Sequence, residues 1–300
     1  MEDGYGRARG RVEGRDPMIL LAGLCTIDLV QRVAELPRPG QKVQSSSVDV
    51  AAGGPATNAA VTVAALGEHA RLLTVLGAHP LAELARADLS ECEVEVVDLA
   101  PEHADPPAVS AVAVRDHDGE RTVVSHNAAA APRFPGKVRV EDARFPGKVR
   151  SVLVDGHHGE VALAVARWAR EQGVPVLLDA GSWKPVLTEL LPMVDVAACS
   201  AHFRAPDGVL DDVPYVITTA GPDPVRWRSL SEQGEVPVPA VHARDTLGAG
   251  DVWHGALAHA WGRLSPRHAI EFANEVAAER VRHSGTRTWV GPVRAGMGEK

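Results

Sequence analysis

From Ser151 onward, short apolar runs of strand length alternate with a stretch of helical period, and that alternation restricts the fold more than anything else in the chain. Val152–Val154 is followed by the helical Glu160–Gln172 and then by Val174–Leu178, with further strand-like runs at Val194–Ala198 and Tyr215–Thr218. Strand–helix–strand order predicts a parallel sheet with helices on its faces. Met18–Ala22 stops at Gly23 like a buried first strand, and Arg71–Leu76 reads as another. Between them, Ala59, Ala60, Val63, Ala64 and Leu66 fall at helical spacing within Pro55–Leu66, and Gly67 ends the run. Two helices, roughly Ala249–Arg263 and Pro266–His283, close the pattern. The fold class is α/β, with a central, mainly parallel sheet flanked by helices.

Two segments do not read as core. Residues 35–50 carry two prolines, Gly40 and then alternating polar and apolar residues, which predicts an exposed pair of strands. Ala108–Val114 and Glu120–Ser125 alternate likewise, joined by the turn residues Asp116–Gly119. A single domain is expected over residues 17–295, with a small accessory sheet from about 35–52 and 106–127. Met1–Asp16 is rich in Gly, Arg and acids without an apolar centre, which predicts a disordered leader and not a secretory signal.

Charge limits the partners. With 31 basic and 39 acidic residues the net charge is −8, which gives no global attraction to nucleic acid or to an anionic membrane. Any anionic ligand must be held by local features. Cys25, Cys92 and Cys199 are widely spaced, without metal-ligand or disulfide patterning, so buried thiols in a cytoplasmic protein are expected. RFPGKVR occurs twice, at Arg133–Arg139 and Arg144–Arg150. Two copies cannot build a solenoid, and a duplication in a surface loop is expected.

The chemistry concentrates in Asp245-Thr246-Leu247-Gly248-Ala249-Gly250-Asp251. This string follows an extended, proline-spaced run and opens an amphipathic helix. Small residues at 248–250 leave backbone N–H groups uncovered at a helix start, where unpaired donors and the helix dipole favour a negative charge. Phosphoryl transfer needs such a place, and a neighbouring carboxylate, Asp251, can accept the proton of an attacking hydroxyl. Gly followed by Asp is also an ordinary helix start with a capping acid.

The whole string resembles the carboxy-terminal signature of the PfkB, or ribokinase-like, carbohydrate kinases. The resemblance implies that Gly248, Ala249 and Gly250 form an anion hole and that Asp251 is the catalytic base. Trp253-His254-Gly255-Ala256 is similar to the continuation of that signature. Gly53-Gly54-Pro55-Ala56-Thr57-Asn58 resembles the family's amino-terminal signature, and Gly23 with Asp28 resembles its first sugar-binding element. Asp28, Gly53, Gly54 and Asn58 would then hold the sugar. Thr219 and Gly221, with Asn274, would lie on the nucleotide side. Taken alone, Asp28 is equally a turn or capping acid and Asn58 a capping amide. The likeness spans about Met18 to Val290. It implies ATP and magnesium as cofactors, a sugar as substrate, and an accessory sheet that covers the sugar, excludes water and offers edges for a homodimer.

There are departures. Ser200-Ala201-His202-Phe203 stands where many members carry Asn-x-x-Glu, and Gly77-Ala78-His79-Pro80 lacks an expected acid. Thr219-Ala220-Gly221-Pro222-Asp223-Pro224 ends in proline in place of glycine, so the sequence leaves the magnesium ligands undefined. Gly119-Glu120-Arg121-Thr122 resembles the ketohexokinase branch, which implies that Arg121 reaches the site from the accessory sheet and that a ketose such as fructose is phosphorylated. A solvated hairpin charge is the other reading of Arg121. A nucleoside kinase of the same fold and a catalytically silent binding protein are the alternatives. His157-His158 and His254 with His259 lack metal-ligand spacing, and neither a Walker loop nor a dinucleotide glycine fingerprint is present.

Overall fold

Met18–Ala22 is apolar at every position and becomes a fully buried central strand, β1. Successive side chains alternate between two cores, Ile19 and Leu21 on one face and Met18, Leu20 and Ala22 on the other. The computed structural model describes residues 17–127, Val138, Val140 and 147–297. Numbered in chain order, β1 joins β4 (His69–Thr74), β5 (Val94–Asp98), β8 (Val149–Val154), β9 (Val176–Ala180), β10 (Val196–Ser200), β11 (Tyr215–Ala220), β12 (Asp223–Ser229) and β13 (Gln233–Val236). The sheet order is β13-β12-β11-β10-β9-β8-β1-β4-β5. Every pair from β5 to β11 is parallel, and β12 and β13 extend the sheet antiparallel. The first face packs on α1 (Pro55–Ala65), α2 (Pro80–Glu91), α5 (Ala249–Ala260), α6 (Pro266–Val281) and α7 (Val290–Met297). The second packs on α3 (Gly159–Glu171) and α4 (Leu187–Leu190). None of the described helices is long and apolar enough to cross a membrane.

A separate sheet of order β3-β2-β6-β7 is built from β2 (Thr26–Val33), β3 (Ser47–Gly53), β6 (Ala108–Arg115) and β7 (Arg121–His126). Only Gly23–Cys25 separates β1 from β2, so the central strand feeds this sheet directly. Val30, Val112 and Val114 are buried on its inner face beside Leu247.

The expected alternation is present, with three differences. The strand pair expected within 35–50 consists of β2, which lies wholly before it, and β3, while 34–46 holds no strand. Pro37, Pro39 and Gly40 cannot sustain a ladder there. Secondly, α2, β5, α4, β12, β13 and α7 occupy stretches where no element was expected. Thirdly, the second RFPGKVR copy does not end in a surface loop. Val149 and Arg150 open β8, and Arg150 donates to Glu68 and to the His259 carbonyl. The first copy lies almost wholly outside the described residues, as does Met1–Asp16. All three cysteines are buried and free.

Candidate active site

The carboxyl ends of β1, β8, β9, β10 and β11 share one edge of the sheet, where ligands bind in open parallel α/β folds. Two helix starts converge there. Gly54 precedes α1 with φ 96°, a backbone conformation that favours glycine, and the Leu24 carbonyl, which would lie 2.5 Å from an added Cβ, independently excludes a side chain. Gly248 precedes α5 in the left-handed region, with φ 71°. The first helical bond recorded there runs from Val252 N–H to the Gly248 carbonyl, which leaves the Gly250 and Asp251 N–H groups as the orphan donors of the turn. A Cβ at Gly250 would meet nothing within 4 Å, so the tip is open.

Helices α1 and α5 cross closely because residue 255 is glycine. A Cβ there would come within 2.5 Å of the Ala59 carbonyl and 2.8 Å of Thr62 Cβ. One turn away, Asn58 Nδ2 donates to Asp251 Oδ2 at 2.9 Å, joining the two glycine-rich strings across 193 residues. Arg287 Nη1 approaches Asn58 Oδ1 at 3.3 Å, so the amide is oriented with its NH₂ toward the acid. Arg287 also pairs with Asp88 at 2.7 Å and donates to the Ala52 carbonyl. Burial, followed by repulsion from Asp179, pushes Asp251 up to about 7. An acid in that range can take up a proton near neutrality.

Asp28 projects from β2 and packs flat on Gly53, where an added Cβ would collide with its carboxylate at 1.9 Å. Burial raises its pKa, and hydrogen bonds from the Thr26 and Ser110 hydroxyls offset part of that rise. Asp28, Asn58, Gly248, Arg280 and Arg287 line one cleft. Arg280 Nη2 donates to the Leu247 carbonyl at 2.7 Å and approaches Asp245 at 3.7 Å. Asp245 in turn accepts from Leu247 N–H and Gly285 N–H. From the small sheet, Arg32 Nη1 comes within 3.6 Å of Asp245, and Arg121 Nη1 donates to Thr246 Oγ1 at 2.8 Å.

The structure therefore brings Asp28, Gly53, Gly54, Asn58, Arg121, Gly248, Ala249, Gly250 and Asp251 to one place. Thr219 and Gly221 lie at the end of β11 and in the turn after it. Asn274 corrects an expectation. It is 2% exposed, its oxygen accepts from Trp253 Nε1 and its NH₂ donates to the Pro237 carbonyl, so the amide is consumed in packing and is not free for a nucleotide. His157 and His158 do not lie in a strand; they sit between β8 and α3, where Asp155 accepts from His157 N–H. Arg287, Asp88, Arg280, Arg32 and Asp179 had no local signal, since each acts through a contact distant in sequence.

The open donors at the 248–251 tip suit a phosphate group. The described residues include no group of three or more His, Cys, Asp or Glu placed to hold a metal ion.

A parallel α/β scaffold with a glycine-lined helix tip, an adjacent buried acid and a covering sheet defines a kinase for small alcohols. The profile of the pfkB family carbohydrate kinases matches residues 16–202 and 210–291, and the chain belongs to that family. The ATP-dependent ribose-1-phosphate kinase of Halopiger xanaduensis is 29% identical over 285 residues, 90% of this chain and 94% of that one. A solved structure of a candidate ribokinase from Agrobacterium tumefaciens superposes with a TM-score of 0.79 at 25% identity, covering 95% and 98%. The Methanocaldococcus jannaschii nucleoside kinase superposes at 0.72 and 19% identity, covering 94% and 99%. The protein is an ATP-dependent carbohydrate kinase.

Proposed function

We propose that the enzyme transfers the γ-phosphoryl group of ATP to a hydroxyl of a ribose-type sugar or sugar phosphate. Asp28, Asn58 and the Gly53–Gly54 backbone hold the sugar, and Asp251 takes the proton from the attacking hydroxyl. The N–H groups at 248–251 receive the charge on the moving phosphoryl group. The observation that carries this reading is the Asn58–Asp251 bond, which sets a substrate-binding amide and a proton acceptor side by side at an open helix tip. Magnesium, when bound with the nucleotide, screens its phosphates. The small sheet acts as a lid over the sugar, and a homodimer forms through that lid.

The ribose preference is supported by the ribose-1-phosphate kinase relative; none of the relatives reported above favours a ketohexose. A nucleoside acceptor is the second reading, supported by the archaeal nucleoside kinase. An ADP-release assay with ribose, ribose 1-phosphate, fructose and adenosine separates these readings. Asp251→Asn is expected to lower kcat by about 10²–10⁴-fold while sugar binding persists. Equal turnover in both proteins would overturn Asp251 as the base.

A further inference from the structure

Beneath the anion-hole turn, on the side of the sheet, lie two buried side chains that the scheme above does not use. Asp179, in β9, is 7% exposed, and His254, on α5 one turn beyond Gly250, is 5% exposed. His254 Nδ1 lies 2.7 Å from the Gly250 carbonyl oxygen and 3.4 Å from Asp179 Oδ2. Its Nε2 lies 3.2 Å from the Ala198 carbonyl oxygen in β10. Both ring nitrogens face oxygen atoms, and only a ring carrying both protons can donate to each of them. Such a ring also balances the Asp179 carboxylate, for which His254 is the only ion-pair partner among the described residues. A ring with a single proton would leave one nitrogen's lone pair directed at an oxygen, and the Asp179 carboxylate would then be balanced only by the partly buried Lys184 ammonium, which also interacts with Asp179.

We propose that Asp179 and His254 form a positioning pair for phosphoryl transfer, tying the first turn of α5 to β9 and β10 and so holding the Gly250–Asp251 donors and the Asp251 carboxylate in place. The inference rests on Asp251 being the base. That carboxylate faces charge from several elements: Asp179 from β9, His254 from its own helix, Asp28 from β2 and Arg280 from α6, with the neutral Asn58 amide from α1. Within this set, Asp179 opposes ionisation of Asp251 and His254 favours it. Two members of one ion pair thus act on the same acid with opposite sign.

The test is a set of pH profiles of kcat and kcat/KM, by ADP release, for the wild type, Asp179→Asn, His254→Asn, the double variant and Asp251→Asn. The acid limb is expected to move to lower pH in Asp179→Asn and to higher pH in His254→Asn, each by roughly half a unit or more. The double variant is expected to return toward the wild-type limb. Asparagine can place a donor near the position of Nδ1, so His254→Asn keeps kcat within about tenfold, whereas His254→Leu, with no donor, loses about 100-fold. KM for the sugar stays within about twofold in His254→Asn, since the ring touches no acceptor site. Acid limbs that stay fixed in both single variants, or that move in the same direction, overturn the pair even if His254→Leu fails to fold. Wild-type turnover by Asp251→Asn overturns the base assignment instead, so the two failures are read separately.

Discussion

Asp251 is costly to keep in its place. An aspartate in an unfolded chain titrates near 4, and burial with Asp179 nearby raises the folded value to about 7. Its folded pKa lies above its unfolded one, so the folded state binds the extra proton between those values. The contribution of this group to stability is therefore greatest below about pH 4, declines as pH rises toward 7 and stays at its minimum above that. Asp251→Asn is expected to be more stable than the wild type at pH 8, by on the order of 2 kcal/mol and several degrees in Tm, with no such difference at pH 4. Thermal melts at the two pH values check this, and equal Tm differences at both would refute the buried-acid account. In activity, kcat/KM is expected to fall below about pH 7 as the base becomes protonated. Asp28→Ala should raise the sugar Kd by about tenfold or more in isothermal titration, because it removes a bidentate acceptor from the cleft. That Asp251, Asn58, Asp28 and the paired glycines would come together could be anticipated because each sits in a short motif whose local shape brings it to the same end of the sheet. Arg287, Arg280 and Asp88 were not legible: an arginine within a helical run, or in the turns that follow it, looks like any solvated charge until the fold sets it against Leu247 or Asn58. Asn274 shows the reverse failure, a polar residue assigned to a ligand whose amide is instead consumed by Trp253 and Pro237.

At the scale of elements, the site depends on how closely α1 and α5 cross. Gly255→Ala would set a methyl group 2.5 Å from the Ala59 carbonyl and 2.8 Å from Thr62 Cβ, both parts of the rigid α1 packing. The helices must separate, at a cost of about 1–3 kcal/mol. The same shift stretches the Asn58–Asp251 bond, so kcat should fall together with Tm; a stable variant of undiminished kcat would show the crossing to be unimportant. The lid contacts act differently. Arg121 is exposed and donates to Thr246 at the anion-hole turn, so Arg121→Ala should leave Tm within about 2 °C of the wild type. Its sugar kcat/KM should nevertheless fall, by roughly tenfold for one lost charge-assisted bond. The interior strands of the parallel sheet were legible as short apolar runs because burial on both faces leaves them no alternative composition, whereas the edge strand β5, only partly buried and carrying Glu95 and Asp98, was not. β2 was hidden because Thr26–Val33 runs on from β1 with only Gly23–Cys25 between, and its face toward the cleft is polar at Asp28 and Arg32, not uniformly apolar.

Across the whole molecule, the small sheet has two unlike faces, and the register shows why. Asp28 and Val30 face inward with Ser110 and Val112, toward the cleft and Leu247. The intervening positions align Val50, Leu29, Ala111 and Val124 in one row across β3, β2, β6 and β7. Val50 is 50% exposed and Val124 72%, and Val48, two residues from Val50 on β3, is 54% exposed. An outward apolar row on a sheet whose outer strands β3 and β7 are each paired on one side only among the described residues is a surface that proteins usually cover. A second copy of the chain would cover it symmetrically, one row on the other, and would stiffen the lid over each sugar site. Light scattering should then give twice the 31.7 kDa chain mass for the wild type. Val124→Asp, which places a charge at the β7 end of the row, should shift it toward the monomer, with Tm of the isolated subunit changed little because the side chain is 72% exposed. If the lid is braced by its partner, the monomeric variant should also show a higher sugar KM at unchanged ATP KM. A wild type that is monomeric at micromolar concentration would remove the partner from this account and leave each lid to close on its own.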